Sequence, residues 1–243
     1  MCKLLVGVLP GCVLTLKTHN NVLTFIKKQM EHTAKIAVIG GTGKSGKYLV
    51  KQLLGQGFHF KMLVRNPDNF QINNSLVEVI KGNANDYESV RSLLTGCQAV
   101  ISTLGLGQPP SETSIFSQAT THIIRAMNEC GVRRYIVITG LNVATDFDNK
   151  SPKTKFATDW MFANYPKTTA DKQTEYNILL ESNVDWTLVR LPLIEQTDVS
   201  GDIIISLEDC PGDKISAADL AIFLISQLSD STYSKKSPFI AMV

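Results

Sequence analysis

The chain has 243 residues, of which 44% are hydrophobic, enough for a sizeable core and too many for a disordered chain. Its formal net charge of only +2 argues against a dedicated nucleic-acid-binding protein. The five cysteines lack CxxC spacing, which is typical of free thiols in a reducing compartment and not of a zinc site or a disulfide framework. We therefore expect a cytoplasmic protein with no metal site and no nucleic-acid or membrane partner.

The first 29 residues differ from the rest of the chain. They contain an apolar run from Leu4 to Leu16 behind a single lysine, which weakly resembles the hydrophobic region of a signal peptide. The run is too short to span a bilayer as a helix, and an upstream translation start explains it more simply. We assign residues 1–29 to an extension of uncertain role and residues 30–243, beginning at Met30, to one domain.

From Lys35 onwards, short apolar runs alternate with segments of helical period, which is the pattern of βαβ units. The predicted strands are 36–39, 58–64, 76–80, 99–103, 135–138, 186–189 and 203–206, with an edge strand at 239–242. The predicted helices are 45–54, 86–94, 111–130, 168–182 and 216–228. This order predicts an α/β fold of the doubly wound Rossmann type, with one parallel sheet covered by helices on both faces.

Residues 142–166 show no clear period. Long irregular segments in compact domains are often functional, and this one follows the fifth strand, near the sheet edge where α/β folds bind ligands. Its aromatic side chains either form a wall for a substrate or fill the core, and the sequence leaves both alternatives open. These side chains are Phe147, Phe156, Trp160, Phe162 and Tyr165.

A glycine-rich loop, Gly40–Gly46, follows the first strand and opens the first helix. Its glycines allow a tight turn, a close approach of the backbone to a pyrophosphate, and close packing of the helix on the strand. The helix N-terminus supplies free N–H groups for the phosphates. The loop therefore predicts a dinucleotide site whose contacts are Gly40, Thr42, Gly43, Lys44, Ser45 and Gly46.

The letters GKS within this loop also resemble the end of a Walker A loop, GxxxxGK[ST]. In that frame the first glycine would fall at Val38, inside the strand. The alternative frame, which ends at Lys47, places Tyr48 where a serine or threonine must hold magnesium. Both frames fail, so we do not expect a nucleoside triphosphatase.

The end of the second strand indicates which dinucleotide is bound. NAD sites usually place an acidic residue there, on the ribose hydroxyls, but this strand ends in Leu63, Val64 and Arg65. The planar guanidinium of Arg65 suits a 2′-phosphate. We therefore expect NADP(H) as the preferred cofactor, with NAD(H) possible.

Eight motifs in order resemble the atypical short-chain dehydrogenase/reductase superfamily, and most closely its NmrA-like and biliverdin-IXβ/flavin reductase branch. The motifs are IGGTGKSG, LVRNP, KGNANDYESV, VISTLG, YIVITG, ADKQTEYNILLES, DWTLVRLPLI and KISAADLAIFL. The resemblance covers the chain from about Lys35 to its end. It implies a single Rossmann domain that binds NAD(P).

The resemblance also implies roles for residues at the strand ends. Residues after the third strand would flank the adenine, those after the fourth would line the middle of the cofactor, and those after the sixth would touch the nicotinamide carboxamide. In that order they are Asn83 and Ala84; Thr103, Leu104 and Gly105; and Pro192, Leu193 and Ile194. The candidate catalytic residues are Thr139, under the nicotinamide ribose, and Lys172.

The sequence departs from the superfamily at its usual catalytic pair, a tyrosine and a lysine four residues apart. Lys172 has Thr168 at the tyrosine position, and Gly140 replaces the serine often found after the fifth strand. The tyrosine acid of an alcohol dehydrogenase is therefore missing. Lys172 either bonds to the nicotinamide ribose or has no chemical role.

These residues favour an oxidoreductase that needs no placed tyrosine acid. We expect an NADP(H)-dependent reductase that passes hydride to a planar conjugated small-molecule acceptor, such as a flavin, a quinone or a tetrapyrrole. The first alternative is a non-catalytic NADP(H) sensor of the NmrA type, and a sugar-nucleotide epimerase-like isomerase ranks last. We expect a monomer or a homodimer.

Overall fold

The computed structural model describes residues 35–69, 72–107 and 110–242. The predicted extension, residues 1–29, and the predicted start of the domain at Met30 lie outside these described residues.

Six parallel strands form the first part of the sheet. They are β1 (Ile36–Ile39), β2 (Phe60–Val64), β3 (Val77–Lys81), β4 (Ala99–Ser102), β5 (Arg134–Gly140) and β6 (Asp185–Leu191). Their spatial order is β3-β2-β1-β4-β5-β6. Strands β2 and β3 lie on one side of β1, whereas β4, β5 and β6 lie on its other side. Open α/β sheets bind ligands at such a switch point, outside the carboxyl ends of the strands.

Four further strands extend the sheet beyond β6. They are β7 (Leu193–Glu195), β8 (Ile203–Ser206), β9 (Lys214–Ser216) and β10 (Phe239–Met242). The prediction that β10 is an edge strand is wrong, because it pairs in parallel with β6 and antiparallel with β8 and β9. Its letters FIAM are apolar without alternation, and three of the four residues are buried. Such a continuous apolar run is typical of an interior strand.

Six helices are described. They are α1 (Gly46–Gly55), α2 (Tyr87–Leu94), α3 (Ile115–Cys130), α4 (Pro152–Asn164), α5 (Pro166–Glu181) and α6 (Ala217–Ser226). The predicted caps are confirmed, since Asp86 accepts a hydrogen bond from the backbone N–H of Ser89 and Ser216 accepts one from that of Asp219. The predicted start of the third helix at residue 111 is wrong, because α3 begins at Ile115. The other predicted bounds agree within about two residues.

Two apolar layers cover the two faces of the sheet. On one face α2, α3 and α5 contribute buried residues such as Leu93, Ile123 and Leu179. On the other face α1 and α6 contribute buried residues such as Leu53 and Leu224. The predicted doubly wound Rossmann-type fold is therefore confirmed.

The segment 142–166 contains the helix α4, which sequence reasoning missed. Sequence reasoning also missed the short strands β7 and β9, which lie further along the chain. Of the residues in α4, only Thr154 is buried. A helix without a buried apolar stripe has no 3.6-residue period to detect. Most of the predicted irregular segment is therefore a helix that lies on the surface of the domain.

Candidate functional site

A cleft of about 1420 Å³ lies at the carboxyl ends of the parallel strands. Its walls are the segments that follow β1, β2, β3, β4, β5 and β6, together with α4 and the loop before β9. Every predicted cofactor residue lines this cleft except Gly46, the last residue of the glycine loop. Both candidate catalytic residues, Thr139 and Lys172, line it as well.

The glycine loop packs closely against the end of β4. Gly40 has a positive φ of 79°, and a Cβ atom there would lie 2.5 Å from the carbonyl oxygen of Thr103. A Cβ on Gly46 would clash with the carbonyl oxygen of Gly40. The same oxygen accepts a hydrogen bond from the N–H of Gly43 at 2.9 Å. These contacts hold the start of α1 at the cleft, as a pyrophosphate site requires.

Arg65 lies at the far end of the cleft from α4 and α5. Its Nη1 atom donates a hydrogen bond to Oγ of Ser111 at 3.4 Å. Gly107 has a positive φ of 77°, and a side chain there would clash with the guanidinium of Arg65. The loop after β4 therefore packs against this arginine, and Lys44 lines the same cleft. Arg65 therefore places a positive charge at the end where a 2′-phosphate would bind.

Thr139 and Lys172 line the other end of the cleft. Thr139 is 4% exposed, and its Oγ1 has no hydrogen-bond partner among the residues that the structure describes. A Cβ on the adjacent Gly140 would lie 3.6 Å from Nζ of Lys172. That ammonium lies 4.9 Å from the ring centroid of Phe116, and burial lowers the pKa of Lys172. A buried hydroxyl and a cation that face a cleft fit the ribose hydroxyls of a nicotinamide nucleotide.

Sequence reasoning missed Asn142, which follows β5. Its Nδ2 donates to the carbonyl oxygen of Thr169 at 3.2 Å, while its buried Oδ1 has no partner in the described ranges. A Cβ on Gly140 would lie 2.5 Å from that Oδ1 atom. This contact explains why a glycine stands at position 140 in place of the usual serine, because a side chain there would displace the Asn142 amide.

Sequence reasoning also missed Glu175, one helical turn after Lys172 on α5. It is 2% exposed, and its Oε1 accepts a hydrogen bond from Oγ1 of Thr120 at 2.8 Å. Burial raises the pKa of the Glu175 carboxyl, and the nearby Lys172 opposes this shift. The sequence did contain a signal for the burial of Glu175, because it lies on the same side of α5 as Lys172, Tyr176 and Leu179.

The aromatic residues of the segment 142–166 do not fill the core. Phe147, Phe156, Trp160, Phe162 and Tyr165 are between 43% and 73% exposed. Three of them, Phe156, Trp160 and Tyr165, line the cleft, and so does Leu193, which is 68% exposed. The rings of Trp160 and Tyr165 make an edge contact with centroids 5.8 Å apart. We call Phe156, Trp160, Tyr165 and Leu193 the apolar wall; it lies beside the end of the cleft that contains Thr139.

Other kinds of site are not found in the part of the chain that the structure describes. In residues 35–69, 72–107 and 110–242, no three histidine, cysteine or acidic side chains come together as metal ligands would. None of the helices in these ranges combines the length and apolar character needed to cross a membrane. Cys97, Cys130 and Cys210 are free thiols.

The fold and the cleft together define a dinucleotide-binding Rossmann protein. A family model described as NAD(P)H-binding matches residues 40–231, and the chain belongs to this family. The family lies among the atypical short-chain dehydrogenase/reductases that the motifs resemble, so that identification is confirmed. The family binds NAD(P)H, and the cleft is the candidate site for this cofactor.

One curated protein similar to this chain carries a reductase name. Cinnamoyl-CoA reductase 1 of Petunia hybrida is 25% identical over 194 residues, which are 70% of this chain and 58% of that protein. The chain thus spans little more than half the length of this curated relative.

Solved structures match over most of their length. A short-chain dehydrogenase/reductase of Veillonella parvula in complex with NADP has a TM-score of 0.71 and 19% identity, covering 86% of this chain and 94% of that one. ChuY, an anaerobilin reductase of Escherichia coli O157:H7, has a TM-score of 0.72 and 18% identity, covering 86% and 97%. At these identities the similarity establishes the shared fold.

Proposed function

We propose that the protein is an NADP(H)-dependent reductase that transfers hydride to a planar conjugated acceptor, of the flavin, quinone or tetrapyrrole type. The observation that carries this proposal is the apolar wall. Large aromatic side chains are rarely left exposed around one cleft unless they contact a ligand. Trp160 and Tyr165 offer flat surfaces beside the nicotinamide end, where a conjugated ring could stack.

NADP(H), and not NAD(H), is the proposed cofactor. Arg65 and Lys44 supply positive charge at the adenosine end, and no acidic residue ends β2. A carboxylate there would repel a 2′-phosphate, whereas a guanidinium binds it with two charge-assisted hydrogen bonds. The NADP bound to the similar Veillonella protein is consistent with this choice.

The residues at the nicotinamide end would orient the reactants. When bound, the cofactor supplies the hydride from C4 of its nicotinamide. Thr139 and Lys172 line this end of the cleft and could hold the ribose hydroxyls or an acceptor oxygen, while the buried Asn142 amide packs beside Gly140. Conjugated acceptors do not need a tyrosine acid, so Thr168 at the usual tyrosine position is compatible with turnover.

The missing tyrosine also supports a second candidate, a non-catalytic sensor of NADP(H). Such a protein needs the dinucleotide cleft but not the proton donor. The exposed aromatic side chains fit an acceptor site beside the reacting carbon, whereas a sensor would need them only where a partner protein binds. An epimerase-like isomerase ranks last, since its chemistry normally depends on the tyrosine that Thr168 replaces.

The test is steady-state oxidation of NADPH with a panel of flavins, quinones and linear tetrapyrroles. We expect turnover with at least one acceptor, and a KM for that acceptor at least about fivefold higher in Trp160→Ala, because about 1–3 kcal/mol of stacking is lost. Phe147→Ala is the matched control, since Phe147 is 64% exposed but does not line the cleft. Background rates with every acceptor, together with tight NADP(H) binding, would establish the sensor instead.

A further inference from the structure

Arg190 is a fully buried charged residue on the interior strand β6. Its neighbours on the strand, Val189 and Leu191, are buried apolar residues, as is typical of a parallel strand with both faces covered. Burial of a guanidinium is costly unless its charge is paired and its donors are hydrogen-bonded. The packing of β6 alone therefore does not explain why an arginine stands at this position.

The guanidinium of Arg190 bonds to three segments from different parts of the chain. Its Nε donates to the carbonyl oxygen of Ser237 at 2.8 Å, and its Nη1 donates to that of Val143 at 3.2 Å. Its Nη2 donates to the carbonyl oxygen of Leu207 at 2.9 Å. The Nη1 atom also forms an ion pair with the carboxylate of Asp148. One buried side chain thus joins the loop after β5, the loop after β8 and the loop before β10.

Asp148 pairs with a second cation on its own loop. Its Oδ2 lies 3.2 Å from Nζ of Lys150, and its Oδ1 accepts a hydrogen bond from the hydroxyl of Thr145 at 2.9 Å. Lys150 also donates to the carbonyl oxygen of Val143 at 3.1 Å. The side chains of Asp148 and Lys150 are only 12% and 8% exposed. We call Asp148, Lys150 and Arg190 the buried ion cluster; it holds the loop after β5 against β6.

Two of the loops held by Arg190 continue into the apolar wall. The loop after β5 leads into α4, which contributes aromatic members of the wall. The loop after β8 ends at Asp213, whose carboxylate pairs with Lys153 on α4 and whose carbonyl oxygen accepts a hydrogen bond from the N–H of Leu193 at 3.2 Å. The two loops are also joined directly, because the N–H of Asn149 donates to the carbonyl oxygen of Glu208 at 2.9 Å. The buried ion cluster therefore lies at the base of the apolar wall.

We propose that Asp148 is a positioning residue for the acceptor, because through the buried ion cluster it holds α4 and the loop 207–213 in the arrangement that binds the acceptor. This inference rests on the proposed reductase function. Asp148 is not among the residues that line the cleft, so it acts through the apolar wall. Buried ion pairs add little net stability compared with apolar residues, but they can fix a single arrangement of the segments that they join.

The adenosine end of the cleft is built independently of this cluster. The glycine loop follows β1 and Arg65 follows β2, and both strands are separated from β6 by β4 and β5. Within the described residues, the side chain of Asp148 bonds only to Thr145, Lys150 and Arg190. Loss of the Asp148 charge should therefore weaken binding of the acceptor and change binding of the cofactor little.

The first test measures local order without any acceptor. Hydrogen exchange of the full chain, read by mass spectrometry, reports the opening of individual segments. In Asp148→Asn we expect exchange at least about tenfold faster in peptides from 142–164 and 207–213, because two buried cations lose their shared carboxylate. Peptides from α1 should exchange as in the wild-type protein, and equal acceleration there would overturn the proposal. Asp146→Asn is the matched control, an exposed aspartate on the same loop, and should leave all peptides unchanged.

A second variant keeps the test decisive if Asp148→Asn does not fold. Lys150→Met removes the ammonium that bonds to Asp148 and to the backbone of Val143, but it preserves the ion pair between Asp148 and Arg190. The flexible methionine side chain fills the space without a charge. The same two segments should exchange faster in this variant too. An unchanged exchange pattern in Asp148→Asn, or in Lys150→Met where the first variant is lost, overturns the proposal.

The last test compares the two ends of the cleft in NADPH oxidation, with an acceptor that the wild-type protein reduces. In Asp148→Asn we expect the KM for the acceptor to rise at least about fivefold while the KM for NADPH stays within about twofold, because only the acceptor end is disturbed. Equal rises in both KM values, or an acceptor KM equal to that of Asp146→Asn, would overturn the positioning role. If the wild-type protein reduces no acceptor, the proposed function fails, and the exchange result still decides whether Asp148 holds the two loops.

Discussion

Asp171 caps helix α3 from a different helix, through the backbone of Phe116. Its Oδ2 accepts hydrogen bonds from the N–H groups of Phe116 at 2.9 Å and Ser117 at 3.2 Å. The residue at the local N-cap position, Ser114, makes no side-chain capping bond. An anionic carboxylate at a helix N-terminus stabilises both the free N–H groups and the helix dipole. The same contact fixes α5 immediately next to Lys172.

Replacement of Asp171 should therefore destabilise the domain. We expect Asp171→Ala to lower the free energy of unfolding by about 1–2 kcal/mol, the usual cost of removing a cap, as measured by urea denaturation. Ser114→Ala is the control and should change stability by less than about 0.5 kcal/mol, because no cap bond is lost. Equal effects of the two substitutions would contradict the assignment of the cap to Asp171.

The glycine loop gives a second prediction. A methyl group on Gly46 would meet the backbone of Gly40, which cannot rotate away as a side chain could. Gly46→Ala should therefore shift the loop and raise the Kd for NADPH at least about tenfold, as measured by fluorescence titration. Gly55 ends the same helix with no atom within 4 Å of its would-be Cβ. Gly55→Ala should leave the Kd unchanged and raise stability by about 0.4–1 kcal/mol.

Arg65 supports a prediction about cofactor choice. Arg65→Ala should weaken NADPH binding by about 1.5–3 kcal/mol, or roughly ten- to hundredfold in Kd, because a charge-assisted bidentate contact is lost. NADH has no 2′-phosphate, so its Kd serves as the internal control and should change by less than about twofold. Parallel losses for both cofactors would mean that Arg65 stabilises the loop after β4 and does not select the phosphate.

The buried Glu175 predicts a pH dependence of stability. Burial raises the pKa of Glu175 from 4.5 to about 8, whereas in the unfolded chain the carboxyl ionises near its ordinary value. Between these two pH values the folded protein binds more protons than the unfolded chain, so its stability falls as pH rises. From pH 5 to pH 8 the wild-type protein should lose on the order of 2–4 kcal/mol relative to Glu175→Gln. Urea denaturation curves of the two proteins that stay parallel across this range would contradict the assignment.

The sequence predicts the fold well because the buried strands and helices show clear patterns of apolar residues in the sequence. β1 is apolar and buried at all four positions, and α3 repeats its buried residues at helical spacing. The strand-end residues could be placed in the cleft for the same reason, since parallel strands bring their carboxyl ends to one edge. The cofactor class follows from this part of the molecule.

The acceptor side could not be predicted in the same way. The residues of α4 face the cleft or solvent, so burial leaves no pattern in their sequence. Asn142 is held by a hydrogen bond to the backbone of Thr169, and Glu175 by one from the hydroxyl of Thr120. Both depend on contacts between segments distant in the chain, which periodicity and motif spacing do not encode. The position of β10 inside the sheet was missed because strand order is likewise a tertiary property.

The packing of Gly107 against Arg65 has a consequence for how this protein could diverge. The guanidinium keeps its present position only while residue 107 has no side chain, so the coenzyme preference that we propose for Arg65 depends on two loops. A single substitution at Gly107 would tilt the arginine away and relax that preference, while the arginine itself stayed unaltered in the gene. Relatives that retain an arginine at the end of β2 but have lost this glycine should therefore not be assumed to use the phosphorylated coenzyme.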